Sequence, residues 1–473
     1  MKITNLVPID FAEVHFNKLN IFYGPNNSGK TYMSYAVYGI IKHVFSSVYE
    51  NIINDNSIPM FEGNSEIKVA IDIEKLKSRI VQEIIKDVNQ NFKEILSDTF
   101  VVQASIFNNT SIVVDENDIF SLLIRDDVSN VPFHENISSY RFTLSNISIE
   151  IRYDNDTSSI LVSRVSTSIS QKLEKTDISS LNIQGEVPKK FLKRSIAKVL
   201  ASEVLLVDDG AFYLPAERNG ANVFREELNR TRSNLISENN GQPINENLHS
   251  YPKPISDYLV FLNSISSDSF IMSNDSVVNF VRKHISSDDQ KRKYVQNVLK
   301  GQFVYTKGNL NFRQLITKNK KSRLQYRKEE IPFNITSSSV KSLYGLSDHL
   351  VNPFIHSRYG ITFLDEPEMN LDPKKQIELA QVLGDLVSSG KKVFISTHSD
   401  YMFRKFTNLS LENHINKTEE TVSAYHFSDG TITKIVSPWN DDYIENFDSP
   451  LEKLNEEFNK LYNKLEPEEQ NFD

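Results

Sequence analysis

Cysteine is absent from the 473 residues of this chain, which excludes disulfide bonds, thiolate metal sites and a cysteine nucleophile. Tryptophan occurs only once, and no run of about eighteen apolar residues is present, so we expect no membrane-spanning helix. The first ten residues follow a strand pattern and lack the apolar core of a secretory signal. Together these absences favour a cytoplasmic protein.

The chain also has no excess of basic residues. Fifty-three Lys and Arg stand against 62 Asp and Glu, which gives a formal net charge of −9. This balance argues against indiscriminate binding of nucleic acid. A hydrophobic content of 39% and a charged content of 24% are typical of a folded globular protein, and the length allows about two to four domains.

The most informative stretch is the octapeptide at residues 24–31, which has the form G-x-x-x-x-G-K-[ST]. It follows an apolar run predicted to be a buried strand and precedes a helical pattern, the context that a phosphate-binding loop needs. Glycine allows close approach of the backbone, and a helix N-terminus offers unpaired N–H groups to an anion. We predict that Lys30 contacts the β- and γ-phosphates of ATP and that Thr31 binds Mg²⁺. The predicted nucleotide contacts in this stretch are Gly24, Pro25, Asn26, Asn27, Ser28, Gly29, Lys30, Thr31 and Tyr32.

Two later strands carry the residues predicted to complete the site. Residues 361–366 read as an apolar strand closed by two carboxylates. Asp365 is placed to hold Mg²⁺ from the strand end, and Glu366 points elsewhere and can orient the attacking water. Residues 392–396 form another apolar strand pattern, and His398 follows it. We predict that His398 contacts the γ-phosphate.

A third apolar strand pattern, residues 212–214, is followed by the charged pair Glu217 and Arg218. In open α/β sheets, ligands bind at the carboxyl ends of the strands, so the pair is a candidate for the same site. A surface ion pair would have the same sequence. Both interpretations remain open at this point.

Outside these motifs, the hydrophobic pattern predicts several further elements. They are an amphipathic helix (74–96), a strand pair (100–114), an antiparallel meander (140–168), a helix (187–207), a helix (340–351), a hairpin (421–436) and an acidic terminal helix (449–465). Asp372 and Pro373 predict the start of another helix. We expect Ser449 and Glu452 to form a capping box at the start of the terminal helix.

Residues 282–328 hold the strongest charge anomaly, fourteen Lys and Arg against two Asp. A basic surface with aromatic residues suits a nucleic-acid backbone and stacked bases. A solvated helix and hairpin, or a surface that docks onto an acidic protein, would have the same composition, and the alternatives stay open. The interleaved aromatic residues are Tyr294, Phe303, Tyr305, Phe312 and Tyr326.

The segments GPNNSGKT, FLDEPEMNLDP and ISTHSDYM together resemble the ABC-type ATPase head of chromosome-maintenance (SMC) proteins, RecF-like proteins and OLD-family nucleases. With YLPAERNG at 213–220, the set looks most like stand-alone bacterial AAA-like ATPases of the AAA-15 and AAA-21 type, found in phage-defence and abortive-infection systems. That resemblance implies an α/β P-loop NTPase with a mixed β-sheet core, an antiparallel β subdomain and an inserted helical lobe. It also implies a homodimer or higher homo-oligomer whose heads sandwich ATP and Mg²⁺.

The same resemblance implies three further site features. A serine-containing signature contacts the nucleotide of the other head, and Ser337, Ser338 and Ser339 occupy its expected place, although both glycines of LSGGQ are missing. Asp372 stands where relatives often carry His in the dimer-facing segment. A glutamine links Mg²⁺ to the lobe, and Gln103 is the candidate in this chain.

The expected function is ATP hydrolysis by the nucleotide-gated sensor or regulatory subunit of an anti-phage system, with a separate nuclease or toxin as effector. The alternative is a DNA recombination or repair ATPase that binds DNA ends through residues 282–328. A third interpretation treats ATP turnover as a timer on a scaffold. The expected division of the chain is a head in two parts (1–220 and 336–436), an inserted basic lobe (221–335) and an acidic C-terminal helix (437–473).

Overall fold

The computed structural model describes most of the chain in separate segments. They are residues 1–54, 68–123, 139–144, 147–154, 159–166, 210–225, 227, 251–272, 289–306, 309–316, 324–352, 359–416, 421–435 and 445–462. The helix predicted at 187–207 and the basic residues between 318 and 323 lie outside the described residues.

A nine-stranded sheet takes its strands from both ends of the chain. From one edge to the other it consists of β5 (Ser111–Val113), β1 (Lys2–Leu6), β2 (Ile9–Glu13), β16 (Thr431–Ile435), β15 (Val422–Ser428), β3 (Leu19–Tyr23), β14 (Lys392–Thr397), β13 (Ile361–Asp365) and β9 (Ala211–Leu214). The last five of these strands run parallel to one another. The carboxyl ends of β3, β14, β13 and β9 therefore meet at one edge of the sheet, where the predicted site residues follow them.

Two smaller sheets are antiparallel. The first has the order β4 (Lys68–Asp72), β8 (Ser159–Ser166), β7 (Ile147–Asp154) and β6 (Ser139–Leu144), which confirms the meander predicted at 140–168. The second consists of β10 (Gly301–Thr306), β11 (Asn309–Gln314) and β12 (Ile331–Pro332). The mixed α/β architecture expected from the sequence is thereby confirmed.

Helices cover both faces of the large sheet. They are α1 (Lys30–Asn54), α2 (Ile73–Phe100), α3 (Glu116–Leu123), α4 (Lys253–Met272), α5 (Asp289–Lys293, continued by a π-helical turn at Tyr294–Leu299), α6 (Ser338–Ser342), α7 (Tyr344–Val351), α8 (Pro373–Ser388), α9 (Asp400–Asn416) and α10 (Glu445–Tyr462). Within the described segments, none of these helices has both the length and the apolar content needed to cross a bilayer.

The central strands are buried on both faces, which explains why they read as continuous apolar runs rather than alternating patterns. Phe363 packs in the core on the side of α1, where its ring stacks on Phe394 at a centroid distance of 4.4 Å. Its neighbour Leu364 packs in the core on the opposite face, together with Ile395 and residues of α8. The sheet is thus a buried layer, and only its loop-bearing edge is left for a site.

The strand pair predicted at 100–114 is wrong in its first half. The helix α2 extends to Phe100, residues Ala104–Phe107 form a 3-10 turn, and only Ser111–Val113 is a strand. The rings of Phe100 and Phe107 pack 5.8 Å apart. Phe107 is buried by this packing of a helix end against a turn, whereas Val101, Val102 and Ile106 of the same stretch are exposed.

The capping box predicted at Ser449 is also wrong, because α10 begins at Glu445 and Ser449 lies inside it. The earlier helix start at Asp372 is confirmed: its carboxylate accepts a hydrogen bond from the Lys375 backbone N–H at 3.1 Å. The hairpin predicted at 421–436 is confirmed by the pairing of β15 with β16.

Candidate active site

The phosphate-binding loop joins β3 to α1, as the sequence predicts. Gly24 (φ 149°), Asn27 (φ 63°) and Gly29 (φ 100°) all have positive φ. A Cβ on Gly24 would lie 2.3 Å from the carbonyl oxygen of Phe427, and one on Gly29 would lie 2.7 Å from a side-chain carbon of Ile9. The two glycines are therefore required by the close approach of neighbouring strands, in addition to any approach of phosphate.

Lys30 begins α1 and is almost entirely buried, with 5% of its surface exposed. Its Nζ donates to the carbonyl oxygens of Gly24 (3.1 Å) and Pro25 (2.7 Å) and lies 3.4 Å from Ser28 Oγ. Burial lowers the pKa of Lys30 to about 8, against the opposing effect of the carboxylates that face it, of which Glu366 has the largest effect. The ammonium group is thus held inside the loop, in reach of a phosphate bound there.

Thr31 and Asp365 meet although they lie far apart in the chain. Thr31 Oγ1 donates to Asp365 Oδ2 at 3.2 Å and lies 3.5 Å from Oδ1. Ser396, the residue paired with Asp365 across β13 and β14, also donates its hydroxyl to Oδ1. Burial raises the pKa of Asp365 to about 6, against the effect of the Ser396 hydrogen bond. The carboxylate is therefore poorly compensated by the protein itself.

This pair of oxygen ligands fits Mg²⁺. A hydroxyl and a carboxylate are the hard donors that Mg²⁺ prefers, and the ion usually binds through one or two carboxylates together with phosphates and waters. No group of three or more His, Cys, Asp or Glu suited to a metal occurs in the described segments. A magnesium ion at Thr31 and Asp365 would therefore take its remaining ligands from nucleotide and water.

Glu366 adopts φ 46°, a conformation that a side chain other than glycine rarely takes. Its backbone N–H donates to the carbonyl of Ser396 at 3.0 Å. One carboxylate oxygen lies 3.4 Å from His398 Nε2, so the two predicted catalytic side chains are neighbours. The hydrogen bond with His398 lowers the pKa of Glu366, against the effect of burial. The carboxylate is thus kept in its charged form.

The part played by Glu368 was missed by sequence reasoning. Its Oε1 accepts hydrogen bonds from Thr397 Oγ1 (2.7 Å) and from the backbone N–H of His398 (2.8 Å), so it fixes the turn that carries His398. Its Oε2 is buried and has no hydrogen-bond partner in the described part of the chain. Burial raises the pKa of Glu368 above its ordinary value. The available signal was a third carboxylate two residues after Glu366.

Arg218 resolves the question left open by the charged pair after β9. It is buried, with 1% of its surface exposed. Its Nε donates to the carbonyl of Ser342 (3.1 Å), Nη1 to those of Pro215 (3.2 Å) and Asp365 (3.0 Å), and Nη2 to that of Glu366 (2.8 Å). The arginine is therefore part of the site and not half of a surface ion pair.

The predicted signature forms a short helix of its own. The helix expected at 340–351 is divided at Leu343 into α6 and α7. Ser337 caps α6 by accepting a hydrogen bond from the backbone N–H of Val340, and its hydroxyl lies 3.1 Å from that of Ser339. Ser337 and Ser338 are exposed. Their contact with the nucleotide of another head stays a prediction.

Two further predicted contacts also stay predictions. Gln103 precedes the 3-10 turn, is exposed, and makes no side-chain capping bond. Tyr32 is 44% exposed, and its ring packs 5.4 Å from that of Phe100 at the start of α1. Neither residue has a contact in the described segments that assigns it to Mg²⁺ or to a base.

The aromatic residues of the basic segment are packed inwards where the structure describes them. Tyr294 and Phe312 are buried in the core. Tyr305 is partly buried, and its hydroxyl lies 2.6 Å from that of Tyr344. Rings held in this way cannot stack on bases, so the structure does not support the aromatic part of the nucleic-acid interpretation in these residues.

Two basic residues of the same segment form ion pairs. Lys293 lies 3.0 Å from a carboxylate oxygen of Asp385. Arg313 donates through Nε to Glu330 at 3.1 Å and contacts the same carboxylate through its Nη2. Within the described residues, these side chains stabilise the lobe. The densest basic run, between 318 and 323, lies outside them.

Comparison with known proteins gives one family match and several structural similarities. The family model described as an AAA ATPase domain (AAA_15) matches residues 1–403. The chain is similar to an SMC head bound to the C-terminal winged-helix domain of ScpA, with 11% identity and a TM-score of 0.32 over 92% of this chain and 96% of that one. No curated protein matches the chain.

Two other SMC heads show a similar overlap. The one derived from Pyrococcus furiosus, with an extended coiled coil and bound to the C-terminal domain of ScpA, is 12% identical, with a TM-score of 0.29 over 96% of this chain and 98% of that one. The head domain from Thermotoga maritima is 10% identical, with a TM-score of 0.28 over 90% and 93%. These overlaps are loose, so the family match and the geometry of the site carry the functional argument.

Proposed function

This chain belongs to the AAA ATPase domain family AAA_15, and on that premise we propose that it hydrolyses ATP at the carboxyl edge of its nine-stranded sheet. The observation that carries the assignment of the site is the meeting of Thr31 and Asp365 at 3.2 Å, beside the buried Lys30. Thr31 closes the phosphate-binding loop and Asp365 ends a buried strand 334 positions away, so their contact supports a single site for one ligand. That ligand is a magnesium-bound nucleotide.

Each residue of the site has a separate role in the proposed reaction. Lys30 and the N-terminus of α1 bind the phosphates, and Thr31 and Asp365 would hold Mg²⁺, which would neutralise phosphate charge. Glu366 stays charged because His398 lowers its pKa, and it orients the attacking water. His398 Nε2 lies 3.4 Å from Glu366, and we assign it the role of stabilising the charge that develops on the γ-phosphate.

We further propose that two copies close on ATP, each nucleotide meeting the loop of one copy and Ser337, Ser338 and Ser339 of the other. The exposure of the serine-bearing end of α6 supports this arrangement. Hydrolysis then opens the dimer. Such a switch requires only that ATP bind the closed state more tightly than the open one.

Glu366→Gln tests the mechanism, and Lys30→Ala is the matched contrast. Glu366→Gln should bind ATP with wild-type affinity, hydrolyse it about 100-fold or more slowly, and accumulate as an ATP-bound dimer. Lys30→Ala should weaken ATP binding by about 100-fold, because it removes charge-assisted bonds to phosphate. Turnover by Glu366→Gln at the normal rate would overturn the assignment. The measurements are nucleotide binding, single-turnover hydrolysis and sedimentation with ATP.

For the biological role, we propose the nucleotide-gated sensor or regulatory subunit of an anti-phage system of the abortive-infection type, with a separate nuclease or toxin as effector. The resemblance of GPNNSGKT, YLPAERNG, FLDEPEMNLDP and ISTHSDYM to defence ATPases supports this role.

Phage challenge of cells that carry the native operon tests this role. Protection should require the neighbouring effector gene and should be lost with Glu366→Gln. A different result would instead favour direct action on DNA: ATPase activity stimulated by DNA in a salt-dependent manner, with the stimulation removed when Lys318, Lys320, Lys321 and Arg323 are neutralised.

A further inference from the structure

One guanidinium connects the hydrolytic loop after β13 to α6, the helix that begins at the exposed serines. Arg218 donates to the carbonyls of Asp365 and Glu366 on one side and to that of Ser342, the last residue of α6, on the other. The four hydrogen-bond acceptors that Arg218 contacts are all backbone oxygens. The hydrogen bonds of Arg218 therefore depend on the position of the backbone in these segments, not on the charge of a neighbouring side chain.

Burying a guanidinium is costly unless its donors are satisfied. Three carboxylates around Arg218 (Glu368, Asp365 and Glu366) act on it through space and oppose the lowering of its pKa by burial. Arginine suits this place because its planar fork offers donors in several fixed directions, whereas lysine is a single flexible point charge. The shape of the fork is what allows two separate segments to be held at once.

The hydrogen bond from Arg218 to the carbonyl of Glu366 acts on a residue with an unusual backbone conformation. Glu366 has φ 46°, and a residue in this region keeps its conformation only when the surrounding contacts impose it. Its N–H is held by Ser396 at 3.0 Å and its carbonyl by Arg218 at 2.8 Å. A shift of the guanidinium would therefore change the direction of the Glu366 side chain.

Asn222 provides a second connection to α6 that avoids the hydrolytic loop. It lies one helical turn after Arg218, and its Nδ2 donates to the carbonyl of Lys341 at 2.7 Å. Its Oδ1 accepts a hydrogen bond from the Tyr258 hydroxyl at 2.8 Å. Asn222 thus holds the neighbouring carbonyl of the same helix without touching Asp365 or Glu366, which makes it a matched control.

We propose that Arg218 is a positioning residue that couples the serines of α6 to Glu366 of the same subunit. Ligand contact at the serines fixes the position of α6. Because the carbonyl of Ser342 accepts a hydrogen bond from Arg218, the position of α6 determines that of the guanidinium. The guanidinium in turn fixes the backbone of Glu366 through its hydrogen bond to the Glu366 carbonyl. This inference rests on the proposed function, in which the serines contact the nucleotide of the partner copy. Hydrolysis in one site then depends on the nucleotide in the other.

A double-mutant cycle tests the coupling. The variants are Arg218→Lys, the triple variant Ser337→Ala, Ser338→Ala and Ser339→Ala, and their combination; kcat, KM and ATP affinity are measured for each. Arg218→Lys should lower kcat by about 30-fold and leave ATP affinity within about threefold. The triple variant should lower kcat by about 10-fold in the wild-type background and less than about twofold in the Arg218→Lys background. In the Asn222→Ala background the triple variant should keep its full effect.

A second measurement avoids any change at Arg218. Hydrogen exchange is followed with a non-hydrolysable ATP analogue in the wild type and in the triple variant. In the wild type, the analogue should protect both the segment 338–343 and the segment 365–371; the triple variant should lose both protections together. Loss at 338–343 alone would overturn the coupling.

The outcomes separate this inference from the function it rests on. If Glu366→Gln forms no ATP-dependent dimer, the sandwich itself is wrong. If that dimer forms but the kcat losses of Arg218→Lys and the triple variant multiply independently, the sandwich stands and the coupling through Arg218 is wrong.

Discussion

The carboxyl edge of the large sheet and the basic segment are both rich in charge, but they use it in opposite ways. At the edge, Asp365 and Glu366 are adjacent, and the pKa of Asp365 is raised by burial, with the charge of Glu366 adding to the effect. In the basic segment, Lys293 pairs with Asp385 and Arg313 pairs with Glu330. The charge of Asp365 is left poorly compensated in the first region, whereas Lys293 and Arg313 in the second are each paired with an opposite charge.

The difference shows that position relative to strand ends is a better guide to a site than charge density. Short turns after parallel strands fix side chains at one edge of the sheet. These side chains cannot rearrange to bring opposite charges together. Residues of a helix and hairpin can bury their rings, such as Tyr294, and find partners for their charged ends. The poorly compensated charge of Asp365 therefore favours a ligand that brings the opposite charge, as the proposed magnesium ion would.

The largest expected effect comes from Asp365→Asn. Hydrolysis should fall by about 1000-fold or more, because a metal ligand is lost. Without nucleotide or Mg²⁺, however, the variant should be more stable than the wild type at pH 8, by about 2 to 3 kcal/mol at most. Urea unfolding in EDTA at several pH values measures this difference.

The direction follows from the pKa of Asp365, which is about 6 in the folded protein against an ordinary value of 3.8. The folded protein holds this proton more tightly, so the wild type loses stability as pH rises from about 4 to about 6, and the loss persists above. The advantage of Asp365→Asn should therefore vanish near pH 4. Asp372→Asn is the control, since asparagine caps a helix as well as aspartate does. An equal advantage at all pH values would contradict the argument.

A smaller effect is expected from His398→Ala. The variant should lose about 10- to 100-fold in kcat and should bind ATP normally. Because the hydrogen bond with His398 lowers the pKa of Glu366, its removal should move the acid limb of the pH profile of kcat to higher pH. His398→Gln, which retains an N–H donor, should restore the position of that limb in part. If the acid limb did not move in His398→Ala, Glu366 would not be the group whose ionisation produces that limb.

The smallest effect is expected in the basic segment, from Arg313→Ala. Arg313 and Glu330 are partly exposed, with 30% and 19% of their side-chain surfaces accessible, so the loss of their ion pair should cost about 1 kcal/mol of unfolding free energy. The ATPase rate should not change. A cycle with Glu330→Ala isolates the pair. If Arg313→Ala weakened DNA binding without loss of stability, the contrast between the two regions would fail.

Local sequence was sufficient for the elements that carry the nucleotide site. The strand β3, the loop at 24–31 and the start of α1 follow from one motif with its flanking apolar patterns, and β13 and β14 follow from continuous apolar runs. The strand pair at 100–114 could not be rejected from sequence, because a short apolar run such as residues 100–102 fits a strand and the end of a helix equally well.

The sequence alone determined which residues bring phosphate-binding and metal-binding chemistry, because those roles belong to side-chain types in a recognisable local context. It did not determine the parts played by Glu368 and Arg218. Glu368 holds the backbone N–H of His398, and Arg218 holds the carbonyls of Asp365 and Glu366, 147 and 148 positions away. Every residue except proline carries the same backbone donor and acceptor, so no sequence pattern marks which of them a distant side chain will hold. Only the packing of β14 and β9 on either side of β13 decided these contacts.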